Sequence, residues 1–423
     1  MSVLEDARGI SAELSRFRHD LHREPEIGLH LPRTQEKILG NLDDLPLEIT
    51  LGKNTTSVGA VLRGDRHDPL QGGRPVVLLR ADMDALPVQE RTGVDFTSRF
   101  DGAMHACGHD LHTAMLAGAA RLLTERRHRL AGDVVFMFQP GEEGCNGAGI
   151  MLDEGILDLA GRRTDAAYGI HVFAGLTEHG RFLTKPGIMM SAADTLIVTV
   201  QGAGGHGSAP HTAKDPVTVV AEMITALQIA VTRQFDVFDP IVISVGLLRA
   251  GSASNIISDT AYFEATVRTF STASRERIRE AAPRLLSNIA AAHGVEVDVE
   301  YRDRNPATVN DADEAFFAEG IVAELFGQDR SVRLTQPISA SEDFSRVLDA
   351  VPGTFIGLGA VAPGSDPSTT PFNHSPFATF DDRVLADGAA LYAELAEVRL
   401  AQLATNSRTG RPSHEDSRAK VER

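Results

Sequence analysis

The stretch Asp133-Val134-Val135-Phe136-Met137-Phe138-Gln139 runs directly into Pro140-Gly141-Glu142-Glu143-Gly144. Its middle is uninterrupted Val, Phe and Met, too short for an ordinary helix and rich in strand-favouring residues. An unbroken apolar run marks a strand covered on both faces, the habit of parallel sheets packed between helices. The polar turn after it falls where such sheets gather their functional groups, beyond the carboxyl ends of the strands. Neighbouring segments repeat the pattern. Val76 to Leu79 leads into Arg80-Ala81-Asp82-Met83-Asp84, and Ala166 to Val172 carries His171 near its end. Between them, Leu111 to Leu123 reads as a strongly apolar helix with Asp110 as its N-cap.

Further out, Ile10, Leu14, Phe17 and Leu21 recur every three or four residues, which predicts one amphipathic helix from Leu4 to His22. Arg33 to Leu42 is expected to be a second helix and Val58 to Leu62 another strand. The pattern changes near Met190. Thr195 to Gln201 alternates, Asp215 to Phe235 is a long helix, and Ile241 to Leu248 and Ala261 to Thr269 are strands. Arg275 to His293 is a helix and Val295 to Tyr301 a closing strand, giving the ferredoxin-like order β-α-β-β-α-β. The expected fold is therefore α/β. A domain with a largely parallel sheet flanked by helices covers residues 1–188 and 304–405, and an α+β domain is inserted at 189–303. Helices at Asp313 to Phe326 and Asp382 to Leu403 complete the first domain, and the polar tail 406–423 is expected to be disordered.

Lys+Arg 41 against Asp+Glu 58 gives a net charge of −17, which argues against nucleic acid or an anionic membrane as partner. The chain has 2 cysteines, Cys107 and Cys145, so no disulfide framework is indicated and a reducing compartment is expected. With no apolar leader in the first residues and no charge-free apolar run of spanning length, the expectation is a soluble cytoplasmic protein.

Met104-His105-Ala106-Cys107-Gly108-His109-Asp110 puts a thiol and two imidazoles within a short loop. Thiolate and imidazole are preferred ligands of zinc and similar metals. Cys107 and His109 are two apart, so in an extended segment their side chains emerge on the same side. Adjacent Glu142 and Glu143 point to opposite sides, so one can ligate while the other faces a water. Asp82 and Asp84 could ligate directly or hold ligand imidazoles from behind. His171 and His374 complete the set of candidates, all at predicted strand ends or loops of the first domain.

Several ordered motifs together identify a relationship. They are Arg80-Ala81-Asp82-Met83-Asp84-Ala85-Leu86-Pro87, the 104–110 loop, Gln139-Pro140-Gly141-Glu142-Glu143, Gly169-Ile170-His171, Gly204-Gly205-His206-Gly207-Ser208 and Asn373-His374-Ser375. The chain resembles the metal-dependent aminoacylase, carboxypeptidase and amidohydrolase family over about residues 10 to 400, most closely its bacterial hippuricase and plant auxin-conjugate hydrolase branch. That resemblance implies two divalent ions, zinc or manganese first and cobalt or nickel also acceptable. Their ligands would be Cys107, His109, Glu143, His171 and His374, with Cys107 the bridge. Glu142 would be the general base, and Asp84 would support catalysis from behind the ligands together with Asp82. In more distant branches a histidine stands where Asp82 is here.

The resemblance also makes the inserted domain a lid and dimerisation module, and the protein a homodimer or dimer-based homo-oligomer. His206 would stabilise the oxyanion, and Asn255 and Arg268 would bind a small N-acyl amino acid. The implied reaction is hydrolysis of that substrate's amide bond to a carboxylic acid and a free amino acid. A dipeptidase or diaminopimelate-pathway deacylase, and outside enzymes a metal-binding or ligand-sensing protein, are the alternatives. Cys145 has no assigned role.

Overall fold

The computed structural model describes residues 2–66 and 73–409. It forms two compact units. The first contains Met1–Gly187, Asn310–Thr335 and Val347–Arg423; the second contains Ile188–Val309 and Gln336–Arg346. The short Gln336–Arg346 segment is one that the sequence reading placed in the first domain. It belongs with the second because Ile338 donates its N–H to Met189 O and the Ser191 hydroxyl donates to Ser339 O.

The first unit is built on an eight-stranded sheet whose centre is parallel. Val76–Asp82 lies between Asp133–Gln139 and Ala166–Phe173, parallel to both, and Ala166–Phe173 pairs in parallel with Gly353–Gly359. Antiparallel strands Val58–Arg63 and Glu48–Leu51 extend one side. The central strands are buried along their whole length, as their unbroken apolar runs require. The registers set Asp82 opposite Gln139 and Arg80 opposite Gly169, so the residues following all three strands emerge at one edge. The His109–Glu125 helix crosses over between Val76–Asp82 and Asp133–Gln139 and is apolar almost all round. The Val384–Thr409 helix packs on it, and Tyr392 ties this helix to the sheet by accepting from Ile170 N and donating to Arg80 O.

Three local expectations change. The predicted Leu4–His22 helix is two helices, Val3–Gly9 and Ser11–His22, because Ile10 leaves helical geometry at ψ 4°. Asp110 does not cap the His109–Glu125 helix. Gly108 occupies the cap position, and the Asp110 carboxylate instead receives Arg18 and His22. The last helix continues to Thr409, into the segment expected to be a disordered tail; the remainder of that tail lies outside the described residues.

The second unit has a four-stranded antiparallel sheet. Its spatial order is Val242–Ala250, Thr260–Thr269, Ala192–Gln201, Glu296–Asn305, the ferredoxin-like arrangement. The Pro216–Gln234 helix is long and apolar enough to cross a membrane by length and composition. Here its Val219, Met223 and Leu227 share a core with Leu196, Val198 and Phe263 of the sheet.

Candidate metal centre

The edge of the sheet where the motif strands end gathers a cluster of ligand-type side chains. Gly108, at φ 87°, sets the approach of the Cys107–His109 loop. A Cβ there would stand 2.4 Å from Val172 Cγ2, so only glycine lets the loop lie this close to the Ala166–Phe173 strand. Two groups of potential ligands share Cys107. One is Cys107, His109 and His171 and the other Cys107, Glu143 and His374, with the ligand atoms in each group within 4.8 Å of one another. His109, Glu142 and Glu143 form a further such group. Cys107 Sγ is 3.4 Å from His171 Nε2, and His374 Nε2 is 3.2 Å from Glu143 Oε1.

The surroundings orient these groups. The Asp84 carboxylate accepts the backbone N–H groups of Glu142 at 3.0 Å and Glu143 at 3.1 Å, which fixes the Pro140–Gly144 turn. It also stands 3.5 Å from His109 Nδ1. Asp82 is held at 2.7 Å by Arg80 and at 2.5 Å by His112 Nδ1. The sequence reading overlooked His112, although it lies one helical turn beyond His109. Its Nε2 accepts the Val172 N–H at 2.7 Å, so the ring proton resides on Nδ1 and is donated to Asp82. His171 Nδ1 donates to Val172 O at 2.8 Å, which leaves Nε2 facing the thiol.

The electrostatics fit a cation-binding cluster. Burial opposes charge on His109, but the Asp82 and Asp84 carboxylates outweigh it and hold its pKa well above the ordinary value. Burial and the Glu143 carboxylate push the Cys107 thiol up. Hydrogen bonds to Cys107 and Glu143 raise His374 to about 10. Burial and the neighbouring His112 push His171 well down, so it is a neutral imidazole. Both ring nitrogens of His109 are buried without a hydrogen-bond partner among the described residues, as expected of a side chain shaped to meet an ion. A thiol, imidazoles and a carboxylate suit a divalent transition metal.

In the second unit, His206 and Asn255 are brought together. Gly205–His206 pairs with Ile256–Ile257, and Gly207 N donates to Asn255 O at 2.8 Å. His206 Nδ1 accepts the Ser208 backbone N–H at 3.2 Å, so the neutral ring carries its proton on Nε2. Arg268 lies on the Thr260–Thr269 strand, and its buried Nη1 has no hydrogen-bond partner among the described residues. The Asp194 carboxylate bonds instead to Arg275, the Tyr301 hydroxyl and the Arg304 N–H.

A parallel-centred sheet with a thiol–imidazole–carboxylate cluster off its strand ends places groups able to hold divalent ions where α/β enzymes keep their active sites. The chain belongs to Peptidase family M20/M25/M40, whose family model matches residues 78–398. It is 34% identical over 394 residues to N-acetylcysteine deacetylase of Bacillus subtilis, covering 93% of this chain and 98% of that protein. It is 32% identical over 396 residues to hippurate hydrolase of Campylobacter jejuni, covering 94% and 99%. A solved Bacillus subtilis structure, a dinuclear metal-binding peptidase of the M20 family, superposes with a TM-score of 0.77 at 32% identity, covering 93% of this chain and 99% of that one.

Proposed function

We propose that the protein hydrolyses the amide bond of N-acyl amino acids of the hippurate or N-acetylamino-acid kind, giving a carboxylic acid and a free amino acid. The observation that carries this reading is the pair of three-residue ligand groups sharing Cys107. Such sharing suits a two-ion centre that Cys107, His109, Glu143, His171 and His374 would hold, with Cys107 common to both groups. Bound ions would polarise the scissile carbonyl and acidify a water. Zinc or manganese is the pair of ions we favour.

Glu142 is buried beside His109 and Glu143. In this reading its carboxylate takes a proton from the attacking water and returns it to the departing nitrogen as the C–N bond breaks. Asp84 keeps Glu142 and Glu143 in place through their backbone N–H groups. His206, with its proton on Nε2, supplies a donor to the oxyanion. Arg268 grips the substrate carboxylate as a guanidinium fork, and Asn255 adds a polar contact. The relatives named for deacetylation and hippurate hydrolysis support this substrate class.

The second unit also serves as a dimerisation module in this reading. Its Val242–Ala250 strand lies at a sheet edge with Val242 and Leu248 exposed, and Ile229 is exposed on the Pro216–Gln234 helix. A reducing, cytoplasmic compartment suits a metal thiolate. No disulfide joins Cys107 and Cys145.

The test sets hippurate, acetylated amino acids and dipeptides side by side with zinc or manganese added. Glu142→Ala should keep metal content near that of the parent and lower turnover on the order of 10²–10⁴-fold. Turnover near the parental rate would refute the role of Glu142, and a preference for dipeptides would replace the substrate class.

A further inference from the structure

The side chain of Asn373 joins all the chain segments that carry the candidate imidazole and thiol ligands. Its Oδ1 accepts the Ala174 N–H at 2.9 Å. Its Nδ2 donates to Cys107 O at 3.1 Å and to Val172 O at 3.0 Å, and lies 3.8 Å from Cys107 Sγ. The backbone neighbours fix the amide's orientation, since Ala174 offers an N–H and the Cys107 and Val172 carbonyl oxygens can only accept. One carboxamide thus spans the Cys107–His109 loop, the strand end after His171, and the loop that presents His374.

The next residue shows why such a brace is needed. His374 sits at φ 71°, a left-handed conformation uncommon for a residue with a Cβ. Its backbone N–H is held by Ala106 O at 2.9 Å. Conformations of this kind persist where the surrounding bonds over-determine them, and they gather at functional sites. Cys107, His171 and His374 are far apart in sequence, and each comes from a different segment. Asn373 is the residue whose side chain bonds to the other two segments while its own backbone leads into His374.

We propose that Asn373 is a positioning residue of the metal centre, setting the spacing of Cys107, His171 and His374 before an ion arrives. The proposal rests on reading those three as ligands. Groups that orient metal ligands from behind typically contribute 10–100-fold to metal affinity.

The experiment is a cobalt titration of the metal-free protein. It is followed by the thiolate-to-cobalt charge-transfer absorption, with affinity measured by competition against a chelator. Asn373→Ala should weaken cobalt binding about 10–100-fold and shift the charge-transfer band. Asn373→Asp is isosteric but places a carboxylate oxygen against two carbonyls and the thiolate, so it should weaken binding at least as much. If the alanine variant does not fold, the aspartate variant decides. With N-acyl amino acids as substrate, the loss should fall on kcat with KM little changed.

Cobalt affinity and band matching the parent in both variants would overturn the proposal, as would tighter binding by Asn373→Asp. A parent protein that takes up no cobalt would overturn this proposal and the metal reading together. Weakened binding in the variants of a parent that hydrolyses no N-acyl amino acid would uphold the brace and refute only the proposed function.

Discussion

Arg18→Met should destabilise the first unit by roughly 3–5 kcal/mol, the usual consequence of breaking a buried ion pair from one side. Arg18 is 2% exposed, and its Nε lies 2.6 Å from Oδ2 of Asp110, which is fully buried. Its Nη1 reaches Asp382 at 2.8 Å, but that carboxylate is 26% exposed, so this half adds no more than about 1 kcal/mol. Methionine fills similar space and leaves Asp110 with His22 as its remaining charged partner, at 2.8 Å. The assay is urea unfolding of the metal-free protein, reading the transition of the first unit separately because two units need not unfold together.

The same variant should move acid unfolding. Burial alone would raise the Asp110 pKa, but Arg18 and His22 outweigh it and hold the carboxyl far below its usual range. A depressed carboxyl contributes stability above its unfolded pKa of about 3.9, and this is lost as pH falls through the folded value. Without Arg18 the folded value rises, so acid unfolding should begin at a higher pH. The double variant Arg18→Met/Asp110→Asn should recover most of the lost stability, because the penalty lies in the uncompensated charge. A single-variant change below about 1 kcal/mol, or no recovery in the double variant, would refute the reasoning.

Asp84→Asn leaves one amide oxygen for two N–H groups, so metal affinity measured by calorimetry should fall roughly 10–100-fold; an unchanged value would mean that the Glu142–Glu143 turn holds itself. Burial lowers the His22 pKa, but Asp110 and Glu90 outweigh it and raise it overall. Its contribution to stability is therefore full below about pH 6.5 and is lost as pH rises through the folded value. His22→Gln should flatten that decline, and a parental pH slope in the variant would contradict the assignment. With His374 raised to about 10 by Cys107 and Glu143, zinc binding at pH 8 should release protons, detectable with an indicator in weak buffer. Zinc uptake without proton release would show that His374 is not displaced from its proton by the ion.

Much of this architecture was readable because it rests on local pattern. The apolar run before Glu142 gave a fully buried strand, and the order of elements between Met190 and Tyr301 gave the ferredoxin-like sheet. The cluster of ligand-type side chains was legible because its residue types sit at strand ends and in the loops beside them. What was missed depends on contacts between distant segments. Arg18 lies on the apolar stripe with Leu14 and Leu21, and a charge there was a clue that the helix faces a buried partner. Nothing local reveals that the partner is Asp110, which an N-cap pattern claimed for itself. His112 offered a clue through its spacing from His109, but its role depends on Asp82 and on Val172, 60 residues away. Asn373 was visible only as the neighbour of a histidine.

The way the first unit is divided along the chain also fixes an order of events during synthesis. The strands of the second unit's sheet lie within one uninterrupted stretch, Ala192 to Asn305, whereas the first unit needs the Val384–Thr409 helix to cover its central strands. Domains fold as units while the chain emerges. The inserted sheet is therefore complete while its host is still open, and His374 joins the cluster only near the end. If His374 is a ligand, as proposed, metal loading would be a late step, near the time the last helix ties to Arg80 and Ile170 through Tyr392. A nascent chain arrested just before His374 would already hold the protease-resistant four-stranded sheet of the second unit, with no complete site for an ion.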